Sequence, residues 1–361
     1  MIRCDALVVG GGPAGSTCAR ALRLAGWDVV VADRARFPRD KVCAGWLTPE
    51  VFRLLDLTPA EYRDAGLTLQ EISAFRTGVL GASLLETRYP RVVSYAIRRC
   101  EFDTFLLRRS GARVLGETPI ERLRWGGSSW IADEAIEAPI LIGAGGHFCP
   151  VARHLRGGAD TATPVVAKEA EFRVGGRAVA DDLAPELYFC RDLEGYGWCV
   201  PKGDYLNVGI GRRDRGDFNS HVRDFIGWLQ QRGTVSPGGA VRWRGHAYLA
   251  SGAGSRPLVA PGAVTIGDAA GLAYPESGEG IRPAIESGRL AAQVLIEARG
   301  RRSLDDLQPY VAELERLHPV PSATPVWLRS TSAALGRALL GSATFTRHVV
   351  LDRWFLRISS A

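Results

Sequence analysis

Residues 6–34 read ALVVGGGPAGSTCARALRLAGWDVVVADR. Ala6 to Val9 form a short apolar run of the kind that makes a buried strand. Gly10, Gly12 and Gly15 follow in a G-x-G-x-x-G pattern, and with Ala14 they open an Ala- and Leu-rich helix reaching Leu24. A second strand runs from Val29 to Ala32, with Asp33 and Arg34 at its end. Glycine is needed in such a turn because a pyrophosphate must approach the backbone closely, where the helix start offers unpaired N–H groups. Asp33 stands roughly 20 residues past the glycines, where an acidic side chain accepts hydrogen bonds from ribose hydroxyls. Its charge opposes a 2′-phosphate. The stretch therefore predicts a dinucleotide site for an unmodified adenosine.

The chain has 361 residues, 46% hydrophobic and 23% charged, which suits an ordinary globular protein of two or three structural domains. Its net charge of +6 is mostly arginine, since lysine occurs only at Lys41, Lys168 and Lys202. The arginines form no basic run, so no nucleic-acid partner is expected. The seven cysteines lack the paired spacing of a metal site, and no metal is predicted. With a strand starting almost at once and no room for a leader, free thiols in a reducing cytoplasm are expected. No apolar run reaches the roughly 18 residues of a membrane span. The tail from Trp327 to Ile358 is apolar at helical spacing but interrupted by Arg329, Arg337, Arg347 and Arg353. It reads either as a helix pair packed on the core or as a peripheral contact with a membrane surface.

A second signature appears late, in VTIGDAAGLAYPESGEGIRPAIESGRLAA (264–292). A strand ends at Gly267–Asp268, a loop rich in Gly and Pro follows, and a long helix begins near Ile281. Its N-terminus again offers backbone donors to an acceptor. Together the two signatures resemble FAD-dependent oxidoreductases of the p-hydroxybenzoate hydroxylase type. The resemblance implies that Asp268 binds ribityl or ribose hydroxyls and that Gly280 and Ile281 face the flavin's pyrimidine end. RCEFDTFLL (99–107) resembles the family's Arg-x-x-Phe-Asp helix start, which implies that Arg99 contacts the cofactor. In LIGAGGHFCPVARHL (141–155), Gly145 stands where the hydroxylases carry aspartate. That departure weighs against their usual direct handling of NAD(P)H. The electron donor stays open between NAD(P)H and a separate reductase or ferredoxin.

FPRDKVCAGW (37–46) and GYGWCVPK (195–202) resemble two motifs of the geranylgeranyl reductase branch: a Cys-Gly pair after the first nucleotide-binding unit, and Tyr-x-Trp-x-Phe-Pro. Here Ala44 separates Cys43 from Gly45, and Val200 replaces the phenylalanine. The resemblance implies that Ala44 and Gly45 lie at the cofactor and Cys43 beside the flavin. For the thiol three roles stay open: proton donor, redox partner, or a small residue that lets Gly45 approach. Tyr196 and Trp198 are two apart on a strand and share a face. With Trp46, Tyr274 and Pro275 they are expected to wall a pocket for a small apolar organic substrate, although Tyr196 and Trp198 would equally suit domain core. The implied activity is reduction of a carbon–carbon double bond in an isoprenoid-like or other natural-product substrate. An aromatic or polyketide-like hydroxylase is the alternative; a halogenase or a non-catalytic flavin carrier comes after it. None of the three lysines sits in a convincing halogenase motif.

The fold expected is α/β. A Rossmann-like FAD-binding domain is assembled from 1–70, 95–160 and 256–300. A mostly antiparallel substrate domain comes from 71–94 and 161–255, and a helical segment from 301–361 packs on the outside. Residues 220–232 are helical by periodicity.

Overall fold

Uninterrupted Val, Ile and Leu runs can only be satisfied when both faces of a strand are covered, and such runs make the centre of a six-stranded sheet. In a computed structural model, Ala6–Val9 lies between Val29–Ala32 and Ile140–Gly143, all parallel, with Ala263–Thr265 beyond the latter. Arg113–Leu115 and Val259–Ala260 form its edges. The structure describes residues 1–158, 163–174, 184–213, 216–235, 241–251, 256–319 and 326–358, with side chains described from 333 in the last span.

Helices Pro13–Leu24 and Ile281–Glu297 pack together on one face of this sheet. Small residues set their separation: a Cβ on Gly288 would lie 2.5 Å from the Ala14 carbonyl oxygen. Beyond them, helix Leu304–Leu317 starts in a Ser303/Asp306 capping box, and its Tyr310 hydroxyl donates to the Thr265 carbonyl at 2.7 Å. That bond ties the helix to the strand leading into Gly267–Asp268.

A seven-stranded sheet follows the order 244–248, 165–173, 205–213, 195–202, 186–189, 74–79, 85–88. It is antiparallel except where Glu186–Phe189 meets Ala74–Val79. Helix Phe218–Gln231 covers one face through Val222, Phe225 and Leu229.

The tail packs on the core, the first of its two expected readings. Residues Thr346–Phe355 form a wide π-type helix, and Val350, Leu351, Phe355 and Leu356 are buried with Trp46, Phe75, Trp198 and Val200. They complete an internal cluster and are not an outer layer. Leu335, Leu339 and Ile358 remain exposed, and among the described residues no helix is long and apolar enough to cross a membrane. Trp327 and Arg329 fall outside the described side chains.

The helix pair yields a direct test. Gly288→Ala should force the two helices apart and cost about 1–3 kcal/mol of overpacking, read as a lower midpoint in chemical denaturation with an unchanged slope.

Candidate functional site

Gly10 takes φ +113°, and a side chain there would collide with the Ala144 backbone. A Cβ on Gly15 would overlap the Gly10 carbonyl. The helix therefore rises tightly off the strand end, which only glycine allows. Gly12 is the N-cap residue, Pro13 comes next, and no side chain caps the turn. Its orphan N–H groups stay open to a ligand. Asp33 accepts the Gly11 N–H at 2.7 Å and the Ala35 N–H at 2.8 Å, so its carboxylate also fixes the glycine loop.

The second signature closes on the same place. Gly280 is the N-cap residue of helix Ile281–Glu297, again without a side-chain cap, and the Gly267 N–H donates to Ser287 Oγ at 3.0 Å. Both helix starts face one cavity of about 730 Å³. Gly10, Gly12, Ala14, Asp33, Arg34, Cys43, Ala44, Trp46, Arg99, Tyr196, Trp198, Asp268, Gly280 and Ile281 all line it.

Charge is concentrated at the nucleotide end. Arg99 grips Asp103 through two bonds of 2.8 and 2.9 Å, with side chains 8% and 0% exposed, and Arg39 reaches the same carboxylate at 3.2 Å. Burial lowers Lys41 to about 8 even though Asp268 pulls it up. Burial acts to raise Asp268, but His246 (3.8 Å away), Lys41 and Arg99 hold it at about 2. His246 is itself lowered, first by burial.

Another part of the lining is aromatic. Trp46 stacks on Phe75 and Phe355 at centroid distances of 4.7 and 5.4 Å, and Tyr196 meets Phe355 edge-on at 5.3 Å. Tyr196 and Trp198 do share a face, with centroids 6.1 Å apart. Their strand partners are Gly211 and Gly209, and a Cβ on Gly209 would run into the Trp198 ring. The Tyr196 hydroxyl donates to the Ser277 carbonyl, tying this wall to the glycine-rich loop.

A buried polar chain links the wall to Cys43. Trp198 Nε1 donates to Asn207 Oδ1 at 2.7 Å, and Asn207 Nδ2 lies 3.4 Å from Glu169. Glu169 in turn accepts the Cys43 N–H at 2.7 Å. Burial raises Glu169 to about 7, against the pull of Lys202. Lys202 is fully buried and bonded to Glu171 at 2.8 Å, so it is a structural cation.

Four expected residues lie off the cavity surface. Gly15 and Gly45 sit behind it, Gly45 at φ +67° pressed on the Ile97 carbonyl and Lys202. Tyr274 and Pro275 do not wall the pocket. The Gly278 N–H donates to the Tyr274 carbonyl and the Tyr274 N–H to the Glu279 carbonyl, a tight turn that points the Tyr274 ring toward His318 and under Arg357. Sequence reading missed Arg39, Lys41, His246, Tyr248, Glu279 and Phe355, all of which line the cavity. The alternation of His246 and Tyr248 on strand Arg244–Tyr248 was the one local signal available.

Comparison with known proteins agrees with this geometry. An FAD binding domain family matches residues 3–90. The menaquinone reductase of Mycobacterium tuberculosis is 31% identical over 330 residues, covering 81% of this chain and 76% of that protein. Chloroplastic geranylgeranyl diphosphate reductase of Oryza sativa subsp. japonica is 28% identical over 359 residues, covering 86% and 71%. Among solved structures, a geranylgeranyl bacteriochlorophyll reductase-like protein from Thermoplasma acidophilum superposes with a TM-score of 0.74 at 22% identity, over 97% of this chain and 91% of that one. PqsL of Pseudomonas aeruginosa reaches 0.68 at 18% identity, over 94% and 96%.

Glu169 offers a test of the buried chain. Its raised value means the folded protein holds the proton more tightly than the unfolded one, which has a carboxyl near 4.5. Its stabilising share is complete below pH 4.5 and is lost as pH rises through 7. Glu169→Gln should match wild type in stability at pH 4 and become the more stable of the two by pH 8, measured by denaturant melts.

Proposed function

The chain belongs to the geranylgeranyl reductase-like branch of the FAD-dependent oxidoreductases, and from that premise we propose that it saturates a carbon–carbon double bond in an apolar, isoprenoid-like substrate. The cavity fits FAD: the uncapped start of helix Pro13–Leu24 suits its diphosphate, Asp33 suits a ribose, and Gly10 and Gly15, where a Cβ would strike backbone, let the turn close up under it. Reduced FAD supplies hydride when bound. Gly10, Gly12, Ala14 and Gly15 would shape its cradle, Arg34, Arg99 and Asp268 would hold it along the charged end, and Gly280 and Ile281 would face the flavin's pyrimidine end.

The observation that carries the substrate reading is the aromatic part of the same cavity's lining. Trp46, Phe355, Tyr196 and Trp198 make a wall with few polar atoms, suited to a prenyl chain or a quinone ring. Such a wall places the reacting carbons and excludes water. Relatives named for menaquinone and for geranylgeranyl diphosphate support the same substrate class. Cys43 lines the cavity with its Sγ 3.4 Å from the Gly45 N–H, beside the charged end.

Anaerobic turnover decides between reduction and hydroxylation. With dithionite as donor and dioxygen excluded, geranylgeranyl diphosphate should reoxidise the bound flavin, giving a product heavier by two hydrogens. Product that forms only with dioxygen, and contains one of its atoms, would overturn the reading. Phe355→Ala should raise KM by roughly 10-fold or more through lost apolar contact while FAD stays bound.

A further inference from the structure

Lys41 lies between Arg39 and Cys43 on a stretch without regular secondary structure, and all three line the cavity. Its chain neighbours are held elsewhere: Asp40 pairs with Arg244, and Val42 is buried in the cluster that contains Trp46 and Phe355. The stretch runs close to the glycine turn, because a Cβ on Gly12 would meet Arg39 Nη2 at 3.5 Å. The other cations around Lys41 are engaged. Arg39 and Arg99 share the Asp103 carboxylate, and His246 lies 3.8 Å from Asp268. The Lys41 ammonium makes no hydrogen bond or ion pair among the described residues, yet it is not closed off from solvent. Asp268, Arg99, Cys43 and Arg39 act on it through their fields and not through a bond. An ammonium has three donors and no acceptor of its own, so this one stands on the cavity wall in need of an anion.

We propose that Lys41 binds the diphosphate of the cofactor, as a cation added to the uncapped start of helix Pro13–Leu24. This rests on the FAD reading above and not on the choice between reduction and hydroxylation. A helix start supplies only about half a positive charge, too little for a diphosphate. Arg39 and Arg99 are partly spent on Asp103, whereas Lys41 has its whole charge to give. A compact ammonium on a flexible stem can also follow a phosphate as it seats. Without an anion the group is poorly solvated, and burial lowers it to about 8. A bound anion reverses that shift, so cofactor binding draws a proton onto Lys41 wherever the empty site has begun to lose it. Affinity is therefore complete below pH 8 and falls as pH rises through that value. Asp268, held at about 2, and His246, lowered by burial, do not titrate in this range.

Ultrafiltration of the holoprotein against flavin-free buffer measures FAD affinity without turnover. Lys41→Met should weaken it by about 10- to 100-fold at pH 7. Lys41→Arg keeps the charge and should hold FAD within a few fold of wild type. From pH 7 to pH 9 the wild-type affinity should fall by about 10-fold, and both variants should stay flat. Riboflavin, which has no phosphate, should bind the deflavinated wild type and Lys41→Met equally well. Cys43→Ser should keep the wild-type pH dependence, which removes the thiol as its source. If methionine impairs folding, Lys41→Gln and the wild-type pH profile carry the test. The proposal fails if Lys41→Met binds FAD as tightly as wild type, or if the pH dependence survives in it. It fails too if FAD and riboflavin weaken alike, the mark of a counter-charge that only steadies Asp268. Wild type that holds no FAD at pH 7 would remove the cofactor reading, and this proposal with it. Firm wild-type binding beside an indifferent variant removes this proposal only.

Discussion

Two helices must begin at nearly one point for this cavity to exist, and glycines set how closely they approach. Gly15 lies on the Gly10 carbonyl, Gly288 lies on the Ala14 carbonyl, and a Cβ on Gly267 would come within 3.0 Å of the Ala14 Cβ. A methyl group at any of these places would displace one helix start from the other. Because each start is left without a side-chain cap, its orphan donors depend on water or a ligand. The dinucleotide cradle is thus assembled by close packing first and by charge second.

Charge then divides the cavity. Arg99, Arg39 and Asp103 form a dense cluster at one end, where removing one partner would leave buried charge uncompensated. In another part of the lining the sheet presents large rings opposite glycines, with Trp198 over Gly209 and Tyr196 over Gly211. The chain Trp198–Asn207–Glu169–Cys43 passes behind both. The aromatic wall and the Cys43 loop are therefore joined by hydrogen bonds, though their side chains come from remote parts of the sequence.

What could be read from the sequence was what is encoded locally. The strand–glycine–helix unit, the late Gly-Asp loop and the pairing of Tyr196 with Trp198 on one strand face are short-range patterns, and each lines the cavity. Phe355 gave no such signal as a member of the site, and His246 gave only its alternation with Tyr248 on one strand. They arrive through the pairing of a distant strand and the burial of the tail, which depend on tertiary packing. Tyr274 and Pro275 fail for the opposite reason. Their neighbourhood in sequence was right, but two backbone hydrogen bonds across residues 274–279 turn Tyr274 toward His318. Glu279 was passed over because an acid in a glycine-rich loop normally reads as solvated surface.

The π-type helix that brings Phe355 to the cavity has a bearing on how the protein matures. On a ribosome, both nucleotide-side helices emerge well before residues 346–355. The cofactor cradle is then complete while the hydrophobic wall still lacks one of its panels. The cradle residues of that chain would border a chamber still missing the Phe355 ring. Redox chemistry on a half-built site would expose the reduced cofactor to dissolved oxygen. Placing a wall panel on a late segment ties closure of the chamber to arrival of that segment.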